Sequence, residues 1–107
     1  MDRFSDHYAL AIKEQNLARL RTERRFSLAR VDLASGDLGP LVSDRELIFH
    51  LAAQAGVRGS WGQSFEVYLR DNVLATQRLL EAARGAGALR KIIYASSSSV
   101  YGDAAEM

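Results

Sequence analysis

The sequence predicts an α/β fold built on a parallel sheet. Three observations predict it. Segments of helical and strand pattern follow one another as helix, strand, strand, helix, strand. The clearest strands are nearly continuous apolar runs, as strands covered on both faces are. Polar residues gather just after the strands, where open α/β sheets place ligands.

Residues 8–21 read as a helix: Ala9, Leu10, Ile12, Leu17 and Leu20 form an imperfect stripe among charges, with Ser5 or Asp6 available as a cap. Residues 26–33 read as a short strand, Phe26 and Leu28 on one face, Ala29, Val31 and Leu33 on the other. Ser35-Gly36-Asp37 and Gly39-Pro40 mark a loop and a brief helical turn. In 46–53, Leu47-Ile48-Phe49 and Leu51-Ala52-Ala53 predict a strand buried on both faces. After a loop containing Gly56, Gly59 and Gly62, the spacing predicts a long helix over 64–84. Phe65, Leu69, Asn72 or Val73, Thr76, Leu80 and Ala83 share its stripe, and Gly85 and Gly87 end it. Lys91-Ile92-Ile93-Tyr94-Ala95 is a further buried strand running into the serines at 96–99, and 101–107 read as loop.

Composition narrows the function classes. A formal net charge of +1 gives no basic excess for nucleic acid, and the arginines at 19, 21, 24, 25 and 30 read as a solvated helix end beside Glu14 and Glu23. The absence of cysteine excludes a disulfide framework and a thiolate metal site, and His7 and His50 lie too far apart for metal-ligand spacing. No apolar run reaches the roughly 18 residues of a membrane span, and no signal-peptide pattern opens the chain, so a cytoplasmic location without membrane contact is expected.

Three blocks carry a family resemblance: Phe-Ser-Asp-His-Tyr at 4–8, His-Leu-Ala-Ala-Gln-Ala-Gly-Val-Arg at 50–58, and Tyr-Ala-Ser-Ser-Ser-Ser-Val-Tyr-Gly at 94–102. In this order and spacing they resemble the extended short-chain dehydrogenase/reductase family, in particular its NAD-dependent nucleotide-sugar 4-epimerases of the uronic-acid type. The resemblance runs from Asp2 to Gly102. It implies a partial Rossmann-type doubly wound parallel sheet lacking its first two strands, with 1–107 forming part of an NAD(P)-binding domain.

The resemblance implies roles for particular residues. Asp2 falls where the family ends its second strand with an acid that accepts from the adenosine ribose and disfavours a 2′-phosphate, an effect the adjacent Arg3 weakens. Its other reading is a disordered terminal acid. Asp32-Leu33 matches the pair that meets adenine, or Asp32 caps the next helical turn. Leu51-Ala52-Ala53 matches the small strand end that lets backbone approach the dinucleotide, with His50 before it a packed structural residue. Arg58 is a candidate for a substrate phosphate or carboxylate, or a solvated loop arginine. Asn72 matches the family asparagine that supports the catalytic lysine, and Ser97 the Ser/Thr that hydrogen-bonds the sugar hydroxyl. Ser98, a further substrate candidate, and Ser99 stand where sugar 4,6-dehydratases carry an Asp-Glu acid/base pair, so epimerase is favoured over dehydratase.

The family's Gly-x-x-Gly-x-x-Gly turn would precede Asp2, and its Tyr-x-x-x-Lys pair would follow. Tyr101 does not open that pair, because Ala105 stands four positions later. Nor does the chain contain the C-terminal substrate region. The expectation is an interior piece of an epimerase, inactive alone and without measurable NAD binding of its own. The family's strand order would leave the strand around Leu28 without neighbours, predicting marginal stability. The alternative is a non-catalytic α/β module that pairs through open strand edges. Nucleotide-sugar substrates and homodimers are what the resemblance implies for partners.

Overall fold

The computed structural model describes residues 1–102; of the expected loop at 101–107, residues 103–107 lie outside the described residues. Helix α1 (Leu10–Ala18) runs into a 3-10 turn (Leu20–Thr22). The short helix α2 (Gly39–Val42) carries Pro40 in its first turn, where the missing N–H costs nothing. Strand β1 (Leu47–His50) precedes a helical stretch over 65–84, made of α3 (Phe65–Tyr68), a π-helical turn (Leu69–Leu74) and α4 (Ala75–Arg84). Strand β2 (Lys91–Tyr94) follows, and a 3-10 turn (Ser98–Tyr101) closes the described chain.

β1 and β2 pair in parallel, Ile48 opposite Ile92 and His50 opposite Tyr94. Backbone bonds from Arg90 N–H to Glu46 O (2.8 Å) and from Ala95 N–H to His50 O (3.1 Å) extend the ladder at both ends. The core lies on one side of this pair. Ile48 packs with Leu79 and Ala83 of α4, Leu38 and Val42 at α2, and Ala86, and Ile92 flanks them. Leu79 and Val42 are the most completely enclosed large side chains.

Several expectations change. β2, expected as a buried strand, is only partly covered, with Ile92 and Ile93 half-buried and Lys91 and Tyr94 exposed. Neither Ser5 nor Asp6 caps α1, whose N-cap position is Ala9. The strand expected at 26–33 reduces to one parallel bridge, Arg30 with Asp2, made by Asp2 N–H to Ala29 O and Val31 N–H to Asp2 O, both 3.2 Å. Only residues 1–3 lie alongside to pair with it, so a longer ladder has no partner; yet the segment is not left without a neighbour. β1 is buried on one face only: Ile48 and His50 are enclosed, whereas Leu47 and Phe49 are 52% and 65% exposed because no described element covers that side. On the long helix the inward face is Asp71, Ala75, Leu79 and Ala83, whereas Leu69, Val73 and Leu80 of the expected stripe are exposed. The helix carries two apolar stripes, and the described sheet covers the one built from smaller residues. In α1, Leu10 and Ile12 are exposed and the single buried residue is Lys13, because that helix faces polar strand ends rather than the core.

His50 is a packed structural residue, as its place on the Ile48 face requires. Its ring lies 5.3 Å from that of Tyr94, and Nε2 is 2.9 Å from Thr76 Oγ1 on the helix above.

Because Leu79 is almost fully enclosed, Leu79→Ala is expected to lower the unfolding free energy by about 3 kcal/mol in urea titrations. A loss below about 1 kcal/mol would remove this residue from the centre of the core. Burial pushes the His50 imidazole below its ordinary value of 6.5. Between 6.5 and that lower value the unfolded chain binds the proton first, so stability is full above the window and falls as pH drops through it. Urea midpoints at about pH 8 and about pH 5.5 should show this decline, and His50→Gln should reduce its slope.

Candidate functional site

A cavity of about 280 Å³ opens between the Asp2–Arg30 bridge and the carboxyl end of β1. Asp2, Asp32, Leu33, Leu51, Ala52 and Ala53 all line it. They arrive from three separate stretches of chain, each just past a paired or extended segment, so the parallel arrangement itself collects them.

Each wall has a local cause. Asp2 Oδ1 accepts the Phe4 N–H at 2.5 Å, closing a sharp turn in which Phe4 takes a left-handed backbone (φ 59°). The Arg30 guanidinium lies 4.2 Å from the Phe4 ring centre, joining the turn to the segment it bridges. Asp32 Oδ1 accepts the Ala34 N–H (2.8 Å), and Asp32 O accepts from Gly36 N–H (2.7 Å), so Asp32 organises its own turn rather than capping α2. Gly36 is required there, since a Cβ would fall 2.2 Å from Val31 Cγ2.

Charged groups reinforce these turns. Arg3 forks onto Asp71 with bonds of 2.8 and 2.6 Å and lies 3.6 Å from Asp32. Arg70 binds Asp71 (2.9 Å) and also donates to Asp32, closing a ring of two arginines and two carboxylates. Burial works to raise the Asp32 carboxyl. The Arg70 hydrogen bond, the Ala34 N–H and the charges of Arg70 and Arg3 outweigh it and hold Asp32 below the usual range. The hydrogen bond to Asp32 in turn raises Arg70.

Lys13 is buried (7% exposed), with Nζ 3.5 Å from Asp2 Oδ1, 5.0 Å from the Tyr8 ring centre and 5.6 Å from that of Phe4. A buried ammonium needs such partners, and the aromatic faces provide part of what water would.

Asn72 stands behind the wall, in the π turn. Its Oδ1 accepts the Gln54 N–H (2.7 Å) and its Nδ2 donates to Gln54 O (3.1 Å). The amide thus grips both polar groups of the residue following Ala53 and fixes where the strand end stops. Tyr68 OH donates to Ala55 O (3.1 Å), holding the next residue of the same loop.

Arg58 and Ser97 do not line this cavity, and both are exposed. Ser97 Oγ accepts the Ser99 N–H (3.2 Å), capping the closing 3-10 turn, and donates to Ser99 Oγ. The Ser98 side chain lies outside the described residues.

Sequence reasoning missed Asp71 and Arg70, saw in Arg3 only a weakening of the acid's effect, and overlooked Lys13. The first three are joined by long-range pairs, Arg3 to Asp71 spanning 68 positions, for which no local pattern exists. Lys13 had a signal: it stands between Leu10 and Leu17 at steps of three and four, on a stripe otherwise apolar.

The cavity lining is mixed in chemistry. Alanine methyls at the strand end leave room, Asp2 presents a carboxylate at the rim, and Leu33 adds an apolar wall. Among the described residues no group of three metal-ligating side chains occurs, and no helix is long and apolar enough to cross a membrane.

A profile of the family described as GDP-mannose 4,6 dehydratase matches residues 1–107. A UDP-glucose epimerase of Bacillus subtilis (strain 168), itself described as uncharacterised, is 42% identical over 103 residues, covering 96% of this chain and 32% of that protein. UDP-glucuronate 4-epimerase 6 of Arabidopsis thaliana is 37% identical over 111 residues, covering 94% of this chain and 22% of that one. A crystal structure of UDP-glucuronic acid 4-epimerase from Bacillus cereus, in complex with UDP-glucuronic acid and NAD, superposes with a TM-score of 0.88 at 39% identity, covering 98% of this chain and 33% of that one. The chain thus spans a third or less of the length of these relatives. Sequence and fold agree: this chain belongs to the NAD-dependent epimerase/dehydratase family of the extended short-chain dehydrogenases/reductases.

Proposed function

We propose that residues 1–107 form the adenosine-binding and sugar-facing part of an NAD-dependent nucleotide-sugar 4-epimerase. The observation that carries this reading is the convergence of Asp2, Asp32, Leu33, Leu51, Ala52 and Ala53 on one cavity. In that role Asp2 accepts from the ribose hydroxyls, Asp32 and Leu33 meet the adenine, and the strand end at Leu51, Ala52 and Ala53 lets the dinucleotide approach backbone. Asn72, by gripping Gln54, keeps that strand end in register. Ser97 hydrogen-bonds the sugar hydroxyl that is oxidised, exchanging its present bond to Ser99 for the substrate. Arg58 and Ser98 bind the nucleotide-sugar's anionic and hydroxyl groups.

The chemistry supplied by bound NAD is removal and return of the hydride at sugar C4. The glycine-rich phosphate turn and the Tyr-x-x-x-Lys pair are not within these 107 residues, so the chain by itself performs no epimerisation.

A second reading, pairing through an open strand edge, is favoured by one observation. One edge of β1, the strand that carries Phe49, has no partner among the described residues.

The 107-residue chain mixed with NAD and UDP-glucuronic acid should yield no 4-epimer. The Bacillus cereus epimerase with its matching third replaced by this chain should be active, and Ser97→Ala in that chimera should lower kcat about 100-fold. A chimera that binds NAD and is indifferent to Ser97→Ala would refute the serine's role. For the second reading, the 107-residue chain is expected to elute from size exclusion as a concentration-dependent oligomer, and Phe49→Lys to restore the monomer. A monomer at all concentrations would count against it.

A further inference from the structure

The ribose end of a dinucleotide site is decided by charge. A carboxylate there accepts from a free 2′-hydroxyl, whereas an arginine accommodates a 2′-phosphate. Here the two occur side by side, as Asp2 and Arg3, and both line the cavity. The outcome depends on whether the Arg3 guanidinium is available, and the structure shows it engaged. Its two terminal nitrogens are bound to the two oxygens of Asp71, the same fork that a phosphate would need. Asp71 is itself buried (9% exposed) and its Oδ1 also accepts from Arg70, so this partner does not swing away with solvent. Lys13, the other cation of the cavity wall, is committed to Asp2 and to the Tyr8 and Phe4 rings. Among the carboxylates and cations lining the cavity, Asp2, Asp32 and Asp71 outnumber Arg3 and Lys13.

We propose that Asp71 is a specificity-determining residue: by holding Arg3 in a two-point ion pair, it withdraws the one guanidinium on the cavity wall that would bind a 2′-phosphate and leaves Asp2 to select an adenine nucleotide with a free 2′-hydroxyl. Asp71 acts through Arg3 and is therefore a positioning residue. The inference rests on the reading of the cavity as an adenosine site.

The test is a calorimetric titration of the Bacillus cereus epimerase carrying this chain in place of its matching third, with 5′-AMP and, separately, adenosine 2′,5′-bisphosphate. The expected result is that 5′-AMP binds about tenfold more tightly than the bisphosphate. Asp71→Asn should move that ratio about tenfold toward the bisphosphate, and Asp71→Glu should keep the original preference. Arg3→Gln combined with Asp71→Asn should also keep it, since no guanidinium is then released. Should Asp71→Asn fail to fold, Arg3→Lys serves instead: an ammonium keeps the charge but cannot fork onto Asp71, so the ratio should shift in the same direction by several-fold. A ratio unchanged in Asp71→Asn, or unchanged in Arg3→Lys where that variant replaces it, while 5′-AMP still binds, overturns the role of Asp71 and leaves the adenosine site standing. No binding of either nucleotide to the folded chimera overturns both.

Discussion

Parallel strands cannot be joined by a tight turn, so β1 and β2 pair only if the intervening residues travel back along the sheet. The helical stretch over 65–84 makes that return, and its cost is met by laying Leu79 and Ala83 over Ile48. α2 closes the other side of the same apolar contact through Val42. Everything at the cavity depends on this placement, because the helix that covers the sheet also carries Arg70, Asp71 and Asn72 to the carboxyl ends of the strands.

The π turn sits where those two duties meet. A π turn adds a residue to one helical turn and is frequent at functional positions. Here it spans Leu69–Leu74, upstream of the regular helix that packs on the core, and it contains Arg70, Asp71 and Asn72, which bind the turns at the strand ends. α4 satisfies packing while the preceding turn satisfies the site. The two contacts differ in reach: Asn72 holds one residue 18 positions away, whereas Asp71 ties the helix to residue 3, 68 positions away.

Much of this was legible in the residues. The apolar runs around Ile48 and Ile92 marked both strands of the sheet, and the helix between them followed from its spacing. The strand-end residues Asp32, Ala52 and Ala53 followed from the rule that such sheets bind ligands at their carboxyl ends. Sequence periodicity could not tell which stripe of the 65–84 helix faces inward, because both stripes are apolar and the choice is made by tertiary contact. Nor could it reveal that Leu47 and Phe49 are uncovered, since a strand's composition reports how much it could bury rather than what lies against it. The segment at 26–33 has strand composition, but strand structure needs a partner of equal length, and residues 1–3 furnish one bridge. The ion ring was illegible for another reason: charges on a helix read as solvated until their partners are known.

The contact between His50 and Thr76 carries a direction as well as a distance. Thr76 has one hydroxyl proton, and it is given to the Asn72 carbonyl at 2.7 Å. Only lone pairs then remain toward His50, so the imidazole must be the donor and its neutral form is the tautomer protonated on Nε2. A proton taken up in acid therefore enters at Nδ1 and leaves the bond to Thr76 intact. What acid costs this fold at His50 is the dehydration of a cation between sheet and helix, with every hydrogen bond of the Asn72 peptide still in place.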